Sequence, residues 1–142
     1  MSSEFRMTRR VQFAETDLAG VLHFANYFRY MEEIEHAFWR SLGMSVIIRD
    51  SERSISWPRV AVHCNYLAPA RFEDELELVL ELTRIGERSL EFKVEFWRGS
   101  ERLAECRYTT VCCEMCGGEF KTIAVTEEIR RVLEPQVTSS GK

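Results

Sequence analysis

The feature that most constrains this chain is a change of hydrophobic period. Between Tyr27 and Leu42 the apolar residues Tyr27, Tyr30, Met31, Ile34, Phe38 and Leu42 recur every three or four positions, while Arg29, Glu32, Glu33, His36 and Arg40 fill the remaining surface. From Val60 onward the period falls to two. Val60, Val62, Cys64 and Tyr66 form one apolar row; Leu76, Leu78, Leu80 and Leu82 a second; Leu90, Phe92, Val94 and Phe96 a third; Ala104, Cys106, Tyr108, Thr110 and Cys112 a fourth. Ile85-Gly86-Glu87-Arg88 and Arg98-Gly99-Ser100-Glu101 read as tight turns, so successive strands run antiparallel. One long helix followed by an apolar-faced antiparallel sheet must bury the helix stripe on that sheet. The expectation is an α+β two-layer domain whose opposite sheet face, polar and small, meets solvent or a second subunit.

The flanks complete this plan. Residues 5–14 read as a first strand with Val11 and Phe13 on one face, and 15–20 as a turn. Gly43 stops the helix, residues 44–56 read as a loop, and Pro58 opens the next strand. Gly117-Gly118 turns the chain into a short strand over 120–125, and Thr126 with Glu128 caps a last helix ending near Glu134. A length of 142 residues, 45% of them hydrophobic, suits one core. The expected division is a single domain over 1–136 and a flexible tail over 137–142, frayed from Thr138 on. The 19 basic and 23 acidic residues are interspersed, which argues against a nucleic-acid or membrane partner. No apolar run approaches the roughly 20 residues of a bilayer span. Met1–Arg10 carries charge where a signal peptide would be apolar, so a cytoplasmic location is expected. Five cysteines, an odd number, speak against a disulfide framework; Cys113-Glu114-Met115-Cys116 has metal-like spacing without further ligands, so structural thiols and no metal are expected.

Chemistry concentrates between Phe13 and Tyr27. Asp17 lies in a turn, Gly20 permits a bend, and the long helix starts a few residues later. Amides at a helix N-terminus are unpaired donors carrying partial positive charge, able to polarise a carbonyl and stabilise an oxyanion. The competing reading makes Asp17 or Thr16 a simple turn cap.

This segment resembles the hot-dog-fold acyl-CoA thioesterases of the 4-hydroxybenzoyl-CoA thioesterase family. The resemblance is carried by Glu15-Thr16-Asp17-Leu18-Ala19-Gly20, His23-Phe24 and Asn26-Tyr27, and is extended by Tyr66-Leu67-Ala68-Pro69-Ala70-Arg71 with Asp74-Glu75-Leu76. It covers roughly residues 5–125. The resemblance implies a hot-dog fold, an antiparallel sheet wrapped around one long central helix. It also implies hydrolysis of acyl-CoA to a carboxylic acid and CoA, without metal or organic cofactor. Asp17 would act as nucleophile or as general base, and the backbone N–H of Phe24 would polarise the thioester carbonyl. Gly20, His23 and Asn26 would line the substrate site. Arg88-Ser89 is the chosen contact for the CoA phosphates among the candidates Arg59, Arg71, Arg88, Arg98 and Arg102. Each active site would lie between subunits of a homodimer, with two sheets joined edge to edge, or of a homotetramer.

Two positions depart from the family pattern. Glu15 replaces the first Asp of the commoner Asp-Thr-Asp, and Phe24 stands where some relatives carry histidine, so His23 is expected to line the pocket or pack at a subunit contact. His63 is expected at an interface or the surface, and His36 and the cluster Glu32, Glu33 and Glu35 on a solvated helix face. A different class of function is a protein that binds an acyl-CoA or acyl-carrier thioester without hydrolysing it. A hydratase lacks its histidine-bearing motif here.

Overall fold

The computed structural model describes residues 3–49 and 52–138. The predicted stripe is α1 (Asn26–Ser41), which buries Tyr27, Tyr30, Met31, Ile34, Phe38 and Trp39. It ends where Gly43, at φ +76°, donates its N–H to the Arg40 carbonyl at 2.9 Å. The strands are β1 (Phe5–Arg10), β2 (Ile48–Arg49), β3 (Arg53–Ser56), β4 (Arg59–Tyr66), β5 (Glu75–Ile85), β6 (Ser89–Arg98), β7 (Glu101–Val111), β8 (Cys113–Cys116) and β9 (Glu119–Thr122), followed by α2 (Glu127–Leu133).

Antiparallel pairing joins five strands in the order β1-β5-β6-β7-β4, leaving β1 and β4 at the edges. The rows read from the sequence set the register: Leu80 faces Val94, and Val94 faces Cys106. These residues are fully buried under α1. The helix lies along the sheet, with the Tyr27 ring 5.1 Å from Phe96 near one end and Phe38 6.1 Å from Phe92 and 5.9 Å from Phe5 near the other. Each such side chain contributes about 1.5–3 kcal/mol relative to exposure.

The far face of the sheet is more charged than its expected polar and small character. Lys93 lies 3.2 Å from Glu81 and 3.9 Å from Glu95; Arg102 reaches Glu95 at 2.9 Å and Arg107 reaches Glu105 at 3.3 Å. His63 stands on this face, exposed, with Nε2 3.2 Å from Asn65 Oδ1.

Several expectations need correction. The first strand stops at Arg10: Val11 is buried but Phe13 is 76% exposed, because Gln12 and Glu15 cap each other and pull Phe13–Glu15 into a 3-10 turn. The loop expected over 44–56 holds β2 and β3, which join β8 and β9 in a second sheet of order β2-β3-β8-β9. Strands this short are specified by their partners, here Ser56 opposite Cys113, and leave little period of their own. Cys64 and Cys106, directly opposed on β4 and β7, are joined as a disulfide, whereas only free thiols were expected. Glu35 is fully buried, because it follows Met31 by one helical turn and falls on the apolar stripe. Order continues past the expected tail boundary, since Val137 bridges to Leu82 and Thr138 N–H donates to the Leu82 carbonyl at 3.0 Å. Residues 139–142 lie outside the described residues.

Replacing Ile34, fully buried on α1, by Ala should lower unfolding stability by about 2–5 kcal/mol. Replacing exposed Arg107 by Ala should change it by less than about 1 kcal/mol. Urea titration followed by far-UV circular dichroism checks both.

Candidate active site

The chain leaves β1 and folds back on itself before entering α1, and this reversal presents Asp17. The Asp17 N–H donates to the Val21 carbonyl and the Gly20 N–H to the Asp17 carbonyl, both at 2.9 Å, and Thr16 bridges to Leu22. Gly20 closes the turn at φ +80°, a conformation costly for other residues. Within it Asp17 Oδ1 accepts the Ala19 N–H at 2.8 Å and the Val21 N–H at 3.4 Å. Oδ2 has no partner among the described residues. The turn thus fixes one carboxylate oxygen and leaves the other available.

A second segment holds the turn in place. Leu22 N–H donates to the Ala70 carbonyl at 2.8 Å, and Val21 bridges to Arg71. That segment is anchored by Asp74, whose Oδ2 accepts the Arg71 N–H at 2.8 Å and Arg98 Nη1 at 2.6 Å. Glu73 in the same turn adopts φ +72°, a strained geometry for a residue with a Cβ.

Glu15 ties the turn to the helix. Arg9 donates to its carboxylate at 2.5 and 3.0 Å, and the Tyr30 hydroxyl at 2.5 Å. Arg9 also pairs with Glu33 at 2.8 Å and covers the Tyr30 ring at 4.3 Å. The Glu15 carbonyl accepts the His23 N–H at 3.0 Å and the Asn26 side-chain amide at 2.8 Å. Burial alone would push the Glu15 carboxyl up, but hydrogen bonds from Arg9, Tyr30 and the Gln12 N–H hold it below its usual range. Burial and the adjacent Glu15 carboxylate together push the Tyr30 hydroxyl up.

At the start of α1 the donors are fewer than the sequence suggested. Asn26, Tyr27 and Phe28 N–H groups donate to the His23, Phe24 and Ala25 carbonyls at 2.9, 3.3 and 3.2 Å, and the Ala25 N–H donates to His23 Nδ1 at 3.1 Å. The Phe24 N–H has no partner among the described residues. Its own carbonyl accepts the Tyr66 hydroxyl at 3.1 Å, fixing the next peptide. Asp17 and Phe24 share a groove of about 340 Å³ whose walls include Leu22, Tyr27, Tyr66 and Leu67. The groove is open, and Phe24, Tyr66 and Leu67 around it are exposed.

The other predicted site residues separate into groups. Gly20 shapes the Asp17 turn. His23 caps the helix start, its ring stacked 4.7 Å from Phe24, and the Asn26 amide is engaged by Glu15. Arg88-Ser89 lies at the opposite end of β6, a strand of ten residues or roughly 30 Å, so one chain does not bring it to Asp17. Among the arginine candidates, Arg98 is held by Asp74 and Glu101, Arg102 by Glu95 and Arg59 by Glu35. Arg71 and Arg88 are exposed and carry no ion pair among the described residues. Sequence reasoning passed over Arg9 and saw Tyr30 only as core and Glu33 only as solvated helix surface. The available signal was Arg9 itself, a charge on the helix-facing side of β1 with Phe5 and Met7.

An antiparallel sheet curled on one long helix, with an acidic turn leading into that helix, defines a hot-dog thioesterase fold. The thioesterase superfamily model matches residues 19–105. A protein of Aquifex aeolicus, provisionally named an esterase, is 30% identical over 130 residues, covering 92% of this chain and 98% of that one. The 1,4-dihydroxy-2-naphthoyl-CoA hydrolase of Prochlorococcus marinus is 30% identical over 104 residues, 68% of this chain and 67% of that one. A hypothetical protein of Thermus thermophilus superposes with a TM-score of 0.80 at 26% identity, covering 94% of this chain and 97% of that one. The chain belongs to the thioesterase superfamily and is by family a thioester hydrolase. No helix among the described residues is long and apolar enough to cross a membrane.

The Glu15 network sets a pH dependence. Its folded pKa lies below the ordinary value of 4.5, so its stabilisation is complete above that value and disappears as pH falls through the depressed folded pKa. Glu15→Gln should therefore cost about 1–3 kcal/mol at neutral pH and make the acid limb of stability shallower. Thermal unfolding between pH 2 and 7 measures both effects.

Proposed function

We propose that this protein hydrolyses acyl-CoA thioesters, with Asp17 as nucleophile or general base and the Phe24 N–H as the donor that polarises the thioester carbonyl. The observation that carries this reading is the shared groove: Asp17, with one carboxylate oxygen unspent among the described residues, and Phe24, with its main-chain N–H likewise unspent, line the same apolar-walled space. Attack on a thioester needs an electron-rich oxygen on one side of the carbonyl carbon and a fixed donor on its oxygen, and neither needs a metal. Because the donor is main chain, the Phe24 ring is left to shape the acyl pocket. The named hydrolase of 1,4-dihydroxy-2-naphthoyl-CoA among the relatives favours an aromatic acyl group.

The proposed assembly is a dimer through β4, which has one edge unpaired among the described residues and exposes Val60 and Val62. Antiparallel joining of two copies would continue the sheet and carry the partner's Arg88-Ser89 turn toward the Asp17 end. Arg71 and the partner's Arg88 would then meet the CoA phosphates, and dimers would pair into a homotetramer. The setting proposed for this chemistry is the cytoplasm.

Replacing Asp17 by Asn or Ala should lower kcat on acyl-CoA by about 100-fold or more while the fold and oligomer persist. Phe24→Ala should act mainly on KM, since the donor survives. A thiol-release assay with a protein blank, needed because of the cysteines, measures both, and full activity of either Asp17 variant rejects the assignment. Tight binding of acyl-CoA without any product would favour the binding-protein alternative.

A further inference from the structure

Edge strand β4 carries a charged residue on its helix-facing side. Arg59 pairs across the ladder with fully buried Thr110, and its guanidinium lies 4.7 Å from the centre of the Tyr108 ring. Nη2 donates to Glu35 at 2.5 Å, and the same buried carboxylate accepts the Tyr108 hydroxyl at 2.9 Å and Trp39 Nε1 at 3.2 Å. The remaining Arg59 N–H groups have no partner among the described residues, and the side chain is 24% exposed. Two buried polar atoms close in the chain or ladder, Thr110 Oγ1 and Trp57 Nε1, also have none. Arg59 borders an open groove of about 440 Å³ with Phe28, Arg29 and Glu32. This is a donor-rich spot, and buried polar groups of this kind are ordinarily matched by an acceptor.

Within one chain the spot is remote from the reacting groups. Arg59 opens β4, whereas Tyr66, which walls the Asp17 groove, closes it. Two-fold antiparallel joining of β4 about His63, with the irregularity between Arg59 and Ala61 absorbing one residue, would set the partner's Arg59 opposite Tyr66, and reciprocally. Both stand on the same sheet face, since Arg59 opposes inward-facing Thr110 and Tyr66 opposes inward-facing Ala104. In such a dimer the groove beside Arg59 on one copy would continue the Asp17 groove of the other.

We propose that the partner's Arg59 is a specificity-determining residue for the end of the acyl group remote from the thioester, selecting acyl groups with a neutral acceptor oxygen, such as a ring hydroxyl, over plain hydrocarbon. The proposal rests on the acyl-CoA hydrolase reading and its edge-joined dimer. Glu35 neutralises the arginine, so the pair offers aimed N–H donors with little net charge, which suits a hydroxyl better than a carboxylate. A hydrocarbon in the same place would strip water from these donors and return nothing, and unpaired polar groups discriminate far more strongly than a missing methylene does.

The test compares kcat/KM for a ring-hydroxylated benzoyl-CoA and for benzoyl-CoA. Arg59→Met should reduce the hydroxylated-to-plain ratio by about tenfold, chiefly through KM, and Arg59→Lys should restore part of it. Arg59→Met leaves Glu35 buried without its ion partner, so Arg59→Met/Glu35→Gln supplies the same readout in a chain relieved of that charge. An unchanged ratio in either folded variant overturns the proposal, because a merely structural role would lower both substrates together. A heterodimer of an Asp17→Asn chain with an Arg59→Met chain, isolated on two tags, locates the residue. Its one competent site joins Asp17 of the second chain to Arg59 of the first, so the wild-type ratio is expected. The ratio of the Arg59→Met homodimer would instead overturn the assignment to the partner. An Asp17→Asn homodimer that keeps its activity would mark failure of the hydrolase reading itself.

Discussion

Sixteen residues of helix with a broad aromatic and aliphatic stripe must be taken out of water on nearly half their circumference, and the five-stranded sheet supplies the surface. The remaining architecture follows from that burial. Tyr27 on Phe96 and Phe38 on Phe92 fix where along the sheet the helix begins and ends. The start of the helix therefore falls beside the ends of β1, β4 and the β6–β7 turn, where the chain must reverse between strand and helix. The acidic turn sits at that reversal. Its position is a consequence of core packing, with the Glu15 carboxylate clamped by Arg9 and Tyr30 joining the two.

The turn divides labour between neighbouring carboxylates. Glu15 is fully engaged by a guanidinium, a phenol and a main-chain N–H, and its carbonyl holds His23 and Asn26. Among the described residues Asp17, two positions on, is engaged through one oxygen only. The first is spent on shape and the second retains capacity for chemistry, a separation produced by the different hydrogen-bond supply at each position.

Much of this was legible in the sequence because it rests on period and punctuation. The rows of β4 to β7, the span of α1, the Gly43 stop and the Thr126 cap all follow local rules, and the Asp17 turn showed itself through Gly20 and the helix behind it. What stayed hidden depends on partners distant in the chain. β3 exists because β8 pairs with it, and β2 because β3 does. Glu35 looked solvated among charged neighbours, and only its one-turn offset from Met31 betrays a buried place. The pairing of Cys64 with Cys106 depends on the β4–β7 register, which no local pattern encodes. At the helix start, the reading of several open amides narrowed to Phe24 once the side chain of His23 and the 3-10 geometry claimed the others.

The use of a peptide N–H at position 24 has an evolutionary corollary. A side-chain donor would lock its position to one or two amino acids, whereas a backbone donor tolerates any residue that keeps the local path of the chain, proline excepted. In the proposed mechanism the ring exposed there can be exchanged over generations for bulkier, smaller or more polar groups while bond cleavage is inherited intact. Descendants of one ancestral scaffold could thus acquire new acyl preferences by drift at this position.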